Sequence, residues 1–418
     1  MMTQAYYTGI SGLKNSSYGI DIVSDNLSNV NTVGFRGDSY EFASLFEDAL
    51  ATTSNISSNT VGIGTRIQAS PMTQTQGSLL ASERSTDMAI VGEGWFGVQG
   101  EGDPIYTRNG AFSFDSERDL VTEDGHYVLG TMGKNINGET LTESLAEVPL
   151  SDVNTQEKLR FPKNLNYPPS PTTTTQFFGN LGTDPEVRTM SSEVIDANGV
   201  RNELNLEFTM LTPQTPPGTQ WGVVATTRDR NDETIVYDRQ EGIVNFDGTG
   251  ALLSSTLTTI DNNGSPVSID LGSDYSGLIA VSNSAISASS QSDGKIAGDL
   301  EGYAINRNGE VIATFTNGEQ SSVGKIAVYH FQNDQGLDRV SGTYFQASSN
   351  SGQALFYQDE NGQNVIGTNL SNYTLESSNV DMTTSLTDLI ILQRAYDANS
   401  KSITTADQMI QKALNMDG

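Results

Sequence analysis

The sequence predicts a multidomain α+β protein, with an α-helix at each end and two mainly antiparallel β domains between them, the second inserted in the first. Three observations predict it. Apolar residues near both termini recur at steps of three, four and seven, the spacing of an amphipathic helix. From Thr65 to Phe356 the period falls to two, and short runs alternate with turns rich in Gly, Asn and Asp. Within that β region a Pro-rich stretch at Tyr167–Pro171 and a small-residue stretch at Ser282–Gly294 bracket a middle segment, after which the β pattern resumes.

The closing helix is read from Asn379 to Gly418. Met382, Leu386, Leu389, Tyr396, Ile403, Ile410 and Leu414 form its seam, with Gln393 and Ser400 as polar gaps. A seam with polar gaps selects a register or a partner. The opening helix runs from about Gln4 to Val30, on Tyr6, Ile10, Leu13, Ile20 and Leu27, with Ser17 and Ser24 as gaps. Gly9, Gly12 and Gly19 weaken it, each by about 1 kcal/mol against Ala. The stretch Asn31-Thr-Val-Gly34 is its expected stop. Neither stripe stands alone. Burying five or so large apolar side chains gains roughly 1.5–3 kcal/mol each, while fixing about 25 backbones costs roughly 1–2 kcal/mol apiece. The ends therefore dock on the chain's own core or on another molecule.

Phe42, Leu45, Phe46, Ala49 and Leu50 have helical spacing, which predicts a short amphipathic helix within Phe35–Leu50, and Ala51–Gly64 reads as a linker or loop. Strands are expected at Arg66–Ser70, Asp87–Val91, Trp95–Gln99, Pro104–Thr107, Ala111–Phe114 and His126–Leu129. Strands so short and closely spaced imply an antiparallel sheet or barrel. In the middle segment they are expected at Met190–Asp196, Glu203–Leu211, Gln220–Thr226, Thr234–Asp238 and Gly250–Thr256. Ser282–Gly294 reads as the return linker. Beyond it, strands are expected at Tyr303–Asn306, Val311–Phe315 and Gly324–Phe331. The domain boundaries that follow are 1–34 with 376–418 for the helices, 35–70 for a linker with a short helix, 71–145 with 285–375 for an inner β domain, and 146–284 for an outer one.

Charge and composition narrow the chemistry. A net charge of −29, from 51 acidic and 22 basic residues, argues against nucleic acid, since phosphate binding needs Lys and Arg clusters. Without cysteine there is no disulfide and no thiolate metal site. No run approaches the ~18 apolar residues of a membrane span, and the start MMTQAYYTGISGLKNSSYG lacks the pattern of a cleavable secretory signal. The protein either stays inside or leaves by another route. Gly92-Glu-Gly94-Trp-Phe-Gly97 has the glycine spacing of a dinucleotide loop, but no helix follows, and a strand edge between two turns explains it better. Asp196-Ala-Asn198-Gly199 and Asp359-Glu-Asn361-Gly362 have their glycine at the fourth position where a calcium loop needs it at the sixth, so they read as hairpin turns. His126 and His330 lie far apart in strand candidates. No catalytic, metal-binding or cofactor-binding constellation stands out, and no cofactor is expected.

Longer stretches carry a family resemblance. Ser11-Gly12-Leu13, DIVSDNLSNVNTVGFR (Asp21–Arg36), VGIGTRI (Val61–Ile67), DMAIVGEGWFGV (Asp87–Val98), YTRNGAFSFD (Tyr106–Asp115) and LESSNVDMTTSLTDLIILQRAYDANSKSITTADQM (Leu375–Met409) resemble the bacterial flagellar rod and hook axial-protein family, and within it the hook proteins. The middle separates the two kinds, for distal rod proteins have little between the same ends. Here roughly 140 residues intervene, and VIDANGVRNELNLEFTML (Val194–Leu211), Trp221-Gly222-Val223 and GYAINRNGEVIATFTNGEQ (Gly302–Gln320) resemble the hook pattern. Glu83-Arg84-Ser85-Thr86 departs from the Gly-Asn-type turn more usual before Asp87.

The resemblance implies a non-enzymatic structural subunit that polymerises with its own kind into a curved, flexible tube joining rod to filament. It implies terminal helices pairing as a coiled coil along the central channel, with the β domains outside. It implies export through the flagellar export apparatus, an extracellular place in the flagellum, and rod, hook-cap and hook–filament junction proteins as partners, with no membrane insertion. Other axial proteins, or in another class a secreted β-rich adhesin with a helical stalk, are the alternatives.

Overall fold

The computed structural model describes residues 2–45, 64–99, 102–214, 217–282 and 284–415. Helix α1 spans Met2–Ser28 and α2 spans Met382–Leu414. Strands fill most of the chain between them. The start of α2 is capped by Asp381, whose Oδ1 accepts from the Thr384 backbone N–H at 2.7 Å. After α1 the chain turns through Gly34, at φ +68°, where a Cβ would lie 2.6 Å from the Arg108 carbonyl carbon.

Among the described residues the largest sheet links fifteen strands. Its order runs from Ile136–Asn137 through Gly298–Ile305, Glu310–Phe315 and Gln320–Ile326 to Tyr127–Met132, Trp95–Gln99 and Pro104–Thr107. Segments before and after the middle of the chain therefore share one sheet. The reason is that Phe96/Val98, Val311/Ala313/Phe315 and Val323 put one face of each strand into a common core with Phe112, Leu159 and Phe161, while the other face of the Trp95–Gln99 strand is buried as well. A second apolar cluster gathers Trp95, Tyr106, Tyr329, Phe345 and Phe356.

A third core draws only on residues from Phe177 to Ala280. Its main sheet is a meander of Arg188–Ile195, Arg201–Met210, Thr219–Asp229, Val236–Phe246 and Leu252–Ser255. Leu204, Leu206 and Phe208 face Trp221, Val223 and Ala225 across it in strict alternation. A smaller sheet centred on Thr174–Asn180 closes this core, with parallel pairs to Ser265–Asp270 and Leu278–Ile279.

Two expectations are corrected. Residues Glu41–Leu45 form a strand, antiparallel to Gly64–Ala69, where helical spacing predicted a helix. The spacing of Phe42 and Leu45 fits either period over so short a run, and pairing decides it. Phe46, Ala49, Leu50 and the linker at 51–63 lie outside the described residues. The stretch read as a return linker contains the strand Ser287–Ser292, paired along its length with Thr174–Asn180. It carries no apolar alternation, because its side chains are polar or small and mostly exposed. Hydroxyls do the fastening instead: Ser290 and Ser292 donate from Oγ to the backbone carbonyls of Ser191 and Glu193 at 2.8 and 2.5 Å.

The motifs weighed in the sequence also find their places. Gly92 and Gly94 have φ of +111° and +125°, and the strand Trp95–Gln99 follows them. Asp196 and Asp359 each accept two backbone N–H bonds of their own turn, from Asn198 and Val200, and from Asn361 and Gln363. His126 packs on Tyr344, and His330 on Tyr357.

Candidate assembly site

The two helices lie antiparallel, and glycine sets their distance. A Cβ on Gly9 would come 2.7 Å from Ile403 Cγ1, on Gly12 2.6 Å from Asn399 Nδ2, and on Gly19 3.0 Å from Leu392 Cδ2. With buried Ser16 and Val23 these positions, at steps of three and four, form the contact line of α1. Ser385, Leu392, Asn399, Ile403 and Ala406 form that of α2. Small residues let the backbones approach, and larger ones on α2 fill the space they leave.

The seam read in the sequence follows a different line. Tyr6 is exposed, and Ile10, Leu13, Ile20 and Leu27 are half-buried. On α2, Met382, Leu386, Gln393 and Tyr396 are exposed, while Leu389, Ser400, Ile403 and Ile410 are half-buried. Leu414 ends the helix, and its side chain is outside the described set. At about 100° per residue, the α1 stripe is turned from its contact line by about 80°, and the α2 stripe by about as much. Because the helices are antiparallel, these equal rotations point to the same side of the pair. Ile403 and Ile410 on α2, and Leu27 on α1, lie near both lines. The two stripes thus make one apolar flank, which no described part of the chain covers.

The opposite flank is closed by the hairpin of Glu41–Leu45 with Gly64–Ala69. Asn15 Nδ2 donates to Thr65 Oγ1 at 2.6 Å, and the Thr65 N–H donates to Ser11 Oγ at 3.3 Å. Phe42 reaches over Gly19. Arg66 and Gln68 alternate with the residues facing α1, so the hairpin presents a polar outer face.

A buried polar clasp ties the helix pair to the β body. Glu376, at 1% exposure, accepts at Oε1 from Arg36 Nη2 at 2.7 Å and from the Gly77 N–H at 2.9 Å, and its Oε2 is 3.5 Å from Arg108 Nη1. Arg36 also donates to the carbonyls of Gln74 and Thr75. Arg108 lies over the Trp95 ring. Burial pulls the Arg36 guanidinium below its ordinary range, with Glu376 opposing. Burial, and then the like charge of Arg36, pulls Arg108 down to about 10, with Glu376 again opposing. Both stay charged at neutral pH. Asn379 accepts from the Gly37 N–H and donates to Thr73 and Thr75, and Asn26 exchanges two hydrogen bonds with the Asp38 backbone. Arg339 sits between the Phe35 and Phe345 rings and donates to the Arg36 carbonyl.

Sequence reasoning took the glycines of α1 as a weakness and did not single out Asn399, Arg36 or Glu376. The signal for the first was present, since 9, 12, 16, 19 and 23 repeat at steps of three and four. For the clasp there was none, as Arg36 and Arg108 lie 340 and 268 residues from Glu376 in sequence.

Among the described residues no helix is long and apolar enough to cross a membrane. Nor does any group of three His, Asp or Glu side chains there make a metal-binding set.

Three family profiles match the chain. Residues 7–36 match "Flagella basal body rod protein", residues 89–160 "Flagellar hook protein FlgE/F/G D1 domain", and residues 371–416 "Flagellar basal body rod FlgEFG protein C-terminal". Proteins named "Flagellar hook protein FlgE" from Borreliella burgdorferi, Treponema pallidum and Escherichia coli K12 are 26%, 27% and 28% identical over 99% of this chain and all of theirs. The crystal structure of Helicobacter pylori flagellar hook protein FlgE2 superposes with a TM-score of 0.53 and 16% identity, over 71% of this chain and all of that one, which is a likeness of fold.

Proposed function

We infer that this chain belongs to the flagellar rod and hook axial proteins and is the structural subunit of a bacterial flagellar hook. The observation that carries this is end-to-end similarity to proteins named flagellar hook protein, 99% of this chain against all of theirs. The helix pair suits the role, because its apolar flank is left for a neighbouring copy. Identical subunits related by a rotation that does not close build a helical tube. In that tube the helices form an inner coiled coil and the β domains the outer layers. The outer domain, 146–284, is an insertion in the inner one, 71–145 with 285–375. This division is supported by a core drawn from Phe177–Ala280 alone, framed by strands of one shared sheet. The tube joins rod to filament and transmits torque while it bends. Subunits reach it through the flagellar export apparatus, and rod, cap and junction proteins are their neighbours.

Deleting the gene and imaging basal bodies by electron microscopy tests this. The expected result is a rod with neither hook nor filament, restored by the full chain. Deletion cells with normal hooks would overturn the reading.

A further inference from the structure

Each helix carries another line of side chains on the side away from its partner. On α1 it is Tyr7, Lys14, Tyr18, Asp21 and Asp25. On α2 it is Ile391, Arg394, Ala398, Lys401 and Lys412. At about 100° per residue the α1 line, and Arg394, Lys401 and Lys412 of the α2 line, lie about opposite the contact line of their helix, while Ile391 and Ala398 lie about 100–120° from theirs, toward the hairpin. All ten side chains are exposed, Tyr7 at 65% and Ile391 at 56%. None of the six charged ones joins an ion pair among the described residues. The charged residues of the α2 line, Arg394, Lys401 and Lys412, are all basic, and the exposed Asp397 lies about 50° to one side of them, toward the apolar flank. The α1 line has two carboxylates, two aromatic rings and one lysine.

We propose that these two lines are the two halves of one contact between copies, the outer line of α2 in one subunit seated on the outer line of α1 in the next. Charge complementarity commits the site to a second copy, and the lines sit at opposite edges of the helix pair, as an open, heterologous contact requires. The pairing of Gly9 with Ile403, Gly12 with Asn399 and Gly19 with Leu392 fixes the level of every residue along the axis. Sliding the neighbour about 12 Å along that axis, at about 1.5 Å per residue, brings three pairs level together: Asp25 with Arg394, Tyr18 with Lys401 and Tyr7 with Lys412. The first is an ion pair, and the others set an ammonium against an aromatic ring. In the same register Asp21 faces Ala398 and Lys14 faces Thr405, so the two lines themselves bring no like charges together, and Asp397, beside the α2 line, comes level with Ile22.

This rests on the reading of the helix pair as the polymerising element. The test uses the purified full chain and its sedimentation as polymer, with circular dichroism to verify that each variant folds. Arg394→Glu alone and Asp25→Arg alone each lower the polymer fraction about tenfold, the effect of a like-charge juxtaposition. Combining both in one chain restores it, whereas Arg394→Glu with Asp21→Arg does not. Polymer unaffected by either single change, or restored equally by Asp21→Arg, overturns the contact or its register. If the unmodified chain polymerises into tubes in that case, the hook reading stands without it. If the unmodified chain forms no polymer and no hooks in the deletion strain, both fall.

Discussion

Glu376 shows how much one buried carboxylate holds together. It answers Arg36 at the end of the opening helix segment, Arg108 in the β body, and a backbone N–H at Gly77. Removing one partner of a buried ionic group leaves the others uncompensated, which typically costs about 3–5 kcal/mol. Glu376→Gln is therefore expected to lower the urea-unfolding free energy by an amount of that order, with helix and body signals separating. An unfolding curve superposable on the native one would show the clasp to be idle. His330 gives a residue-scale pH dependence. Its Nε2–H donates to the Ile366 carbonyl at 2.7 Å, and burial holds its imidazole below its ordinary value of 6.5, with Asp334 and Glu93 opposing and Arg108 reinforcing. The folded pKa is the lower one, so the unfolded chain takes the proton first. Stability is full above about pH 6.5 and is lost as pH falls below it. Burial raises Asp334, which acts with the opposite slope, so the informative quantity is a difference between variants. The melting temperature of His330→Gln is expected to fall less between pH 7 and 5 than that of the native chain. Equal falls would remove His330 from the account.

At the scale of elements, the helix pair separates what periodicity can and cannot tell. The stripes at Tyr6–Leu27 and Met382–Leu414 are real apolar faces, and their helices pack together. Yet the contact uses the glycine line, because close approach recovers more packing than bulky side chains held apart would. Adding a methyl to Gly9 or Gly12 gains about 1 kcal/mol of helix propensity and is opposed by about 1–3 kcal/mol of overpacking. Gly9→Ala with Gly12→Ala is expected to loosen the pair, read as faster amide exchange along both helices. Slower exchange would mean that Ile403 and Asn399 can move aside. Gln393 and Ser400 fall on the uncovered flank. Gln393→Leu with Ser400→Leu should thus leave intrachain unfolding nearly unchanged while promoting association and altering hook curvature. Hooks of native shape would leave these polar gaps without a role in assembly. The hairpin at Glu41–Leu45 was not legible, since five residues fit two periods. Nor was the strand Ser287–Ser292, whose fastening is by hydroxyls.

For the whole molecule, charge and apolar surface are segregated. The helices carry five acidic and four basic residues, so 28 of the 29 net negative charges lie elsewhere. Acidic bodies repel one another over about 8–10 Å at moderate salt, while the nearly neutral helices can meet. None of the three apolar clusters draws a residue from either helix. Removing residues 1–28 and 382–418 is accordingly expected to leave a soluble, cooperatively folding monomer that forms no tubes. Tubes from the trimmed chain would show that the ends do not drive assembly.

The sequence by itself determined the helices at both ends, the turn-rich β region between them, and a family resemblance, because period, turn chemistry and long ordered motifs are local properties of the chain. Tertiary structure decided which helix face meets which, that a hairpin closes one flank, and that Arg36, Arg108 and Glu376 converge. These depend on close approach and on burial of charge, and residues hundreds of positions apart acquire both only once the chain is folded.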